Sequence, residues 1–177
     1  MKTIFAAALA CLFLTGCFGY HIGPVKPYYL RDVRTLAVPT FQNKTLVPHI
    51  EVLVTDTVIK QLQQDGTYQI ASGENADATL KAEITRINRV PTRSVRENVL
   101  ATIEFGLSMD VKYSVVARDG TALIPTAQAS GSTSFFVSNN VTTNVVSSDV
   151  TTDERQALPL ATEDLATRLV AQLSEGW

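Results

Sequence analysis

The chain has 177 residues, of which 45% are hydrophobic, and it carries 15 basic and 17 acidic side chains for a net charge of −2. That size and apolar content suffice for one domain with a real core. The near-balanced charge excludes a protein built to hold a polyanion over its whole surface, while leaving room for local basic patches.

In chain order, the first element is a leader. Lys2 precedes an apolar run from Ile4 to Leu14, and Leu14-Thr15-Gly16-Cys17 follows. A charged start, an apolar stretch and a small-residue cleavage site make an export signal. The run of eleven residues is too short to span a bilayer core of roughly 30 Å. Because the site ends in cysteine, it resembles the lipobox of bacterial lipoproteins. That resemblance implies removal of residues 1–16 and lipidation of Cys17 as the new first residue. The mature chain then has 161 residues with 14 basic and 17 acidic groups. Cys11 leaves with the signal and Cys17 carries lipid. No thiol remains for a disulfide, a metal or nucleophilic catalysis. Two or more acyl chains anchor stably where one does so marginally. Phe18, and not aspartate, follows the cysteine, and by the same resemblance this favours the outer membrane, with the domain on its periplasmic face.

Residues 17–32 contain Gly19, Gly23, Pro24, Pro27 and three tyrosines, and are expected to be a tether to a single domain over 33–177. Leu36-Ala37-Val38-Pro39 is a short strand ended by proline, and Gln42-Asn43-Lys44-Thr45 a polar turn. Pro48 to Gln64 is predicted helical, since Ile50, Leu53, Val54, Val58 and Leu62 share one face. Asp65-Gly66 stops it. Tyr68–Ala71 is a short strand. Ala78–Val90 is a longer one, with Leu80, Ala82 and Ile84 alternating against Lys81, Glu83 and Thr85. The clearest strand is Ala101–Val116. Ile103, Phe105, Leu107, Met109, Val111, Tyr113 and Val115 hold one parity, and polar residues or glycine the other, which predicts one buried and one wet face. Asp119-Gly120 marks a hairpin. The returning strand carries Ala127, Ala129, Gly131, Thr133, Phe135 and Val137. Residues 138–152 are expected to be a loop. Thr151 and Glu154 form a capping-box pattern before a last helix carrying Leu158, Ala161, Leu165, Leu169 and Leu173. Pro159 should kink or split it. The order β-α-β-β-β-β-α predicts an α+β two-layer sandwich, with two helices on one face of a mainly antiparallel sheet.

No catalytic constellation is visible. His21 and His49 lack metal spacing, and no glycine-rich phosphate loop follows a strand. Glu83, Glu104 and Asp110 alternate with apolar positions, as solvated charges do. The expectation is a protein that is no enzyme and needs neither cofactor nor metal. One charge cluster stands out: Arg86, Arg89, Arg93 and Arg96, with Lys81 before them and only Glu83 and Glu97 near. It is expected at the open end of a hairpin around Pro91. Arginine suits bidentate phosphate contacts, so these five residues are candidates for binding an anionic amphiphile such as a phosphorylated glycolipid. The competing reading is a charged hairpin that protects an edge strand. Trp177 is expected to be a packing anchor.

Several stretches taken in order are similar to the LptE family of lipopolysaccharide-assembly lipoproteins. Gly19-Tyr20-His21-Ile22-Gly23 follows the lipid cysteine, and Leu36-Ala37-Val38-Pro39-Thr40-Phe41-Gln42-Asn43-Lys44-Thr45 is the most specific stretch. The helix ending Gln64-Asp65-Gly66-Thr67, then Ala76-Asp77-Ala78-Thr79-Leu80, then a final helix ending at Trp177 complete the series. The resemblance implies an outer-membrane protein that plugs and helps assemble the LptD β-barrel and assists lipopolysaccharide transport to the outer leaflet, with no nucleic acid as partner. It supplies no binding residues; the arginines are placed by chemistry alone. A second family resemblance, to CsgG-like secretion-pore proteins and penicillin-binding-protein activators, rests on the same Leu-Ala-Val-Pro start and implies α/β/α layering.

Overall fold

The period-two run of Ala101–Val116 becomes the middle strand of a long antiparallel meander. The computed structural model describes residues 26–95, 98–137 and 150–175. The signal, Cys17, the tether up to residue 25, Arg96, loop residues 138–149 and Trp177 lie outside them. A 3-10 turn at Tyr28–Leu30 leads into β1 (Thr35–Ala37), β2 (Gln42–Asn43), α1 (Ile50–Asp65), β3 (Gln69–Ile70), β4 (Ala78–Val95), β5 (Asn98–Ala117), β6 (Ala122–Phe136) and α2 (Val150–Ser174).

The sheet runs β3-β1-β4-β5-β6, with β2 beside β4. Pairing is antiparallel from β4 to β6 and parallel where β1 meets β3 and β4, and where β2 meets β4. The α1 crossover between β1 and β3 permits the parallel pair, which no tight turn could join. Both helices lie on one face. One core joins Val54, Val58 and Leu62 of α1, Leu165, Leu169 and Leu173 of α2, and Leu80, Ile84, Leu107, Met109, Val111 and Val115 of the sheet. Those sheet residues are the apolar parity of β4 and β5. The two layers differ from the α/β/α arrangement that the second resemblance implied.

Local signals act as their chemistry requires. Gly66 ends α1 in the left-handed region at φ 74°, and its N–H donates to the Leu62 carbonyl. Gly120 takes φ 90° in the β5–β6 turn, with the Asp119 carboxylate accepting from the Thr121 N–H at 2.8 Å. Asn43 organises the segment before α1. Its amide donates to the Val47 carbonyl and to Glu51, while its carbonyl oxygen accepts from the Thr45 N–H and hydroxyl.

Three expectations change. Gln42–Asn43 is a short strand on β4 and not a turn; the following Lys44 N–H donates to the Ile84 carbonyl at 3.0 Å. Pro91 lies inside β4, opposite Phe105, so the β4–β5 turn falls beyond Val95. Among the described residues, nothing pairs with the outer side of β4 past Ile84. The missing proline N–H therefore costs no ladder bond, and the register shifts between Pro91 and Arg93. The last helix runs through Pro159 as one element and begins at Val150, so Thr151 is inside it and not its cap.

Candidate functional site

Because Leu107, Met109, Val111, Tyr113 and Val115 turn to the helices, the other parity of the meander faces away from both. Cross-strand pairs on that open face are Ser108 with Ser132, Asp110 with Ser130, Lys112 with Gln128, and Glu83 with Lys112. Hydroxyls, amides and charges thus cover most of a surface three strands wide, interrupted toward the far end of the strands by Gly106 and by exposed Val90 and Phe136, which lie opposite Gly106 and Glu104. Near the start of β4 the face dips into an open trough of about 280 Å³. Lys81, Glu83, Lys112, Gln42, Ser114 and Thr126 supply its polar lining.

The structure divides the predicted basic cluster between two faces. Arg86 pairs with Asp110 at 4.0 Å and Arg93 with Glu104 at 3.7 Å, both on the open face. Lys81 shares that face, opposite Ser114 and within the trough. Arg89 sits opposite buried Leu107 on the helix side. Its guanidinium donates to the Glu154 carboxylate of α2 at 2.7 Å and lies 5.5 Å from the Phe105 ring centre. Phe105 stacks on Phe135 at 5.7 Å, so Arg89 pins the start of α2 to an aromatic pair. Arg86 and Arg89 are three residues apart and so take opposite faces of the strand, while the register shift between Ile84 and Arg86 puts Arg86 on the face of Lys81 and the shift between Pro91 and Arg93 brings Arg93 to it as well. Lys81, Arg86 and Arg93 therefore form a stripe roughly 40 Å long at strand rise, not a knot around Pro91. Lys112, Gln42 and Thr126 were not singled out from sequence. The polar parity of β5 already placed Lys112 on the wet face, whereas Gln42 and Thr126 reach the trough only through tertiary pairing.

Two buried phenols hold the other end of α2. Tyr68 donates to the Leu173 carbonyl at 2.6 Å, and Tyr113 to the Gln172 side chain at 2.7 Å. Burial pushes the Tyr68 hydroxyl well up and Tyr113 up to about 12. At the start of β1, the Asp77 carboxylate accepts from the backbone N–H groups of Thr35 and Arg34 at 2.9 and 3.0 Å. Those hydrogen bonds, Thr35 first, hold its carboxyl below the ordinary 3.8. A depressed folded value means that the stabilisation is complete above the unfolded pKa and lost as pH falls through the folded one. We expect Asp77→Asn to weaken the domain at neutral pH and to flatten its acid-induced loss below about pH 4, as urea midpoints measured across pH will show.

Among the described residues there is no group of three His, Cys, Asp or Glu suited to a metal, and no helix is long and apolar enough to cross a membrane.

The domain thus has two layers, with one sheet face covered by helices and the other uncovered and largely polar. The chain matches the family model described as LptE, lipopolysaccharide-assembly, over residues 33–173, and it belongs to that family. It is a family of assembly proteins and not of enzymes. No curated protein matches the chain. Solved structures share the fold at low identity. A DUF330-family protein from Xanthomonas campestris has 12% identity and a TM-score of 0.52, over 84% of this chain and 86% of its own. A homologue of a neuraminyllactose-binding hemagglutinin from Helicobacter pylori has 13% identity and a TM-score of 0.52, over 89% and 90%. A minor lipoprotein from Acinetobacter baumannii has 13% identity and a TM-score of 0.49, over 80% and 90%.

Proposed function

We propose that this protein is lipidated at Cys17, held on the periplasmic face of the outer membrane, and inserted as a plug into an LptD-type β-barrel. There it helps the barrel assemble and assists lipopolysaccharide transport to the outer leaflet. The observation that carries the reading is the open face of β4, β5 and β6. A wide sheet face lined by serines, threonines, amides and charges, with no helix over it, suits the water-filled, polar interior of a large barrel. An ordinary half-exposed sheet would satisfy the same alternation, and the family match is what favours the barrel.

For lipopolysaccharide itself we propose Lys81, Arg86 and Arg93 as contacts for lipid A phosphates. Arg96 belongs to the same sequence cluster and lies outside the described residues. Arg89 was a candidate on equal terms; it now has a structural duty toward Glu154, so it is the poorest choice for a clean test. In the resting protein the mostly exposed Arg86 and Arg93 each meet one half-buried carboxylate, Asp110 and Glu104, at 4.0 and 3.7 Å, and such long, solvent-screened pairs are worth about 1 kcal/mol or less, so a phosphate can compete for the arginines. Arg86→Glu combined with Arg93→Glu should weaken glycolipid binding about tenfold or more, since each hydrogen bond to a charged group contributes about 1.5–3 kcal/mol. Both arginine side chains are mostly exposed, so the domain should stay folded, with its thermal midpoint lowered only by the repulsion that the new carboxylates meet at Asp110 and Glu104. Unchanged binding in a fluorescence competition assay rejects these residues.

A further inference from the structure

The first described residue, Lys26, comes nine residues after Cys17. The entry point is fixed. The Lys26 ammonium donates to the Val33 carbonyl at 2.6 Å and lies 4.7 Å from the centre of the Tyr68 ring. Leu30 and Val33 are buried, and the Leu30 N–H donates to the Pro27 carbonyl at 2.9 Å. This rigid turn leaves its two aromatics outside: Tyr28 is 82% exposed and Tyr29 46%. The Arg31 guanidinium sits 5.2 Å from the Tyr28 ring centre, and Arg34 is exposed beyond it. Asp32 is exposed between them; Asp77, the nearest acid of another element, is engaged with the N–H groups of Arg34 and Thr35. Arg118 adds a further cation behind Asp77, donating to the Ala76 carbonyl.

Tyrosine with arginine on a preformed turn has the chemistry of the bilayer interface, where an amphipathic ring lies at headgroup depth and the cation meets phosphate. Each basic side chain near an anionic surface adds an attraction that falls off within a Debye length and weakens with salt. Nine residues reach at most about 30 Å, so the acyl chains on Cys17 cannot leave this turn far from the membrane. We propose that Tyr28, Tyr29, Arg31 and Arg34 form a seat on the phospholipid headgroups of the membrane that holds the acyl chains, fixing the domain's orientation there. This rests on the lipid-anchor reading above. The seat converts a loose tether into a two-point attachment, because a second contact on a short linker acts at millimolar effective concentration.

The test uses the full lipidated chain with Trp177→Phe and Tyr28→Trp, reconstituted in phosphatidylethanolamine–phosphatidylglycerol vesicles whose acyl chains are brominated. We expect a blue-shifted emission and about twofold stronger quenching than for a control with Leu46→Trp, whose site is on the loop before α1. Adding Arg31→Ser and Arg34→Ser should halve that difference, as should high salt. Equal quenching of the two probes overturns the seat, and so does quenching that needs a co-purified barrel, which would mark a protein contact. Intact mass of the same sample reads the acyl chains. An unacylated chain removes the anchor and the seat together, whereas an acylated chain with an unquenched probe removes the seat alone.

Discussion

Replacing Gly131 with valine should cost the domain at least about 3 kcal/mol, the upper range for overpacking, because the obstruction is backbone and not a flexible side chain. Any Cβ at position 131 would come within 2.6 Å of Leu165 Cβ, and closer still to the Ala161 carbonyl oxygen and the Leu165 amide nitrogen. Gly131 has no left-handed φ, so space and not conformational freedom is what the position requires. Ala161 and Leu165 are wholly buried, and the Asp164 carboxylate accepts from the Ser132 N–H at 2.9 Å, which locks α2 over β6 at this point. To admit a side chain, α2 must lift off, exposing Leu165 and Leu169. For a domain of this size the thermal midpoint should fall by about 6–12 °C. Gly131→Ala should show the same effect in smaller measure, because a single methyl already collides. An unfolding free energy from urea titration within about 0.5 kcal/mol of wild type would mean that α2 does not cross β6 as described.

The second large effect is on location. Cys17→Ala, exported behind an ordinary cleavable signal in cells depleted of the proposed barrel partner, should move the protein from the membrane fraction into the soluble periplasmic fraction, with the fold intact. Each buried CH₂ of an acyl chain contributes about 0.8 kcal/mol, and two or more chains turn marginal binding into a stable anchor. Loss of that term exceeds anything the exposed tyrosines and arginines near Tyr28 can supply. Fractionation followed by immunoblotting reads the result. Retention of the alanine variant in washed membranes of those barrel-depleted cells would contradict the lipid anchor.

Much of this architecture was legible in the residues. The unbroken alternation of Ala101–Val116 foretold both a buried face and a wet one, and each proved to be a whole layer boundary. Asp65-Gly66 and Asp119-Gly120 worked because their chemistry is local: one left-handed glycine and one short carboxylate suffice. What was lost depended on distant pairing. Gln42–Asn43 looks like a turn until β4 lies beside it. Pro91 looks like a breaker until the outer side of β4 is known to be unpaired. The arginines looked like one site because sequence proximity says nothing of face or register: three positions separate Arg86 from Arg89 and put them on opposite faces, and the shifts after Ile84 and after Pro91 decide that Lys81, Arg86 and Arg93 are the ones in the open. The α2 contact that makes Gly131 indispensable joins residues more than thirty positions apart, and no local pattern marks it.

The central claim is that the open sheet face serves a barrel partner. The most direct measurement is affinity purification of the tagged, lipidated protein from solubilised outer membranes, with mass spectrometry of what co-purifies. The account predicts one large β-barrel protein of the LptD type in equal amount. Recovery of the lipidated protein with no barrel, self-associated or bound instead to cell-wall synthases, would contradict it.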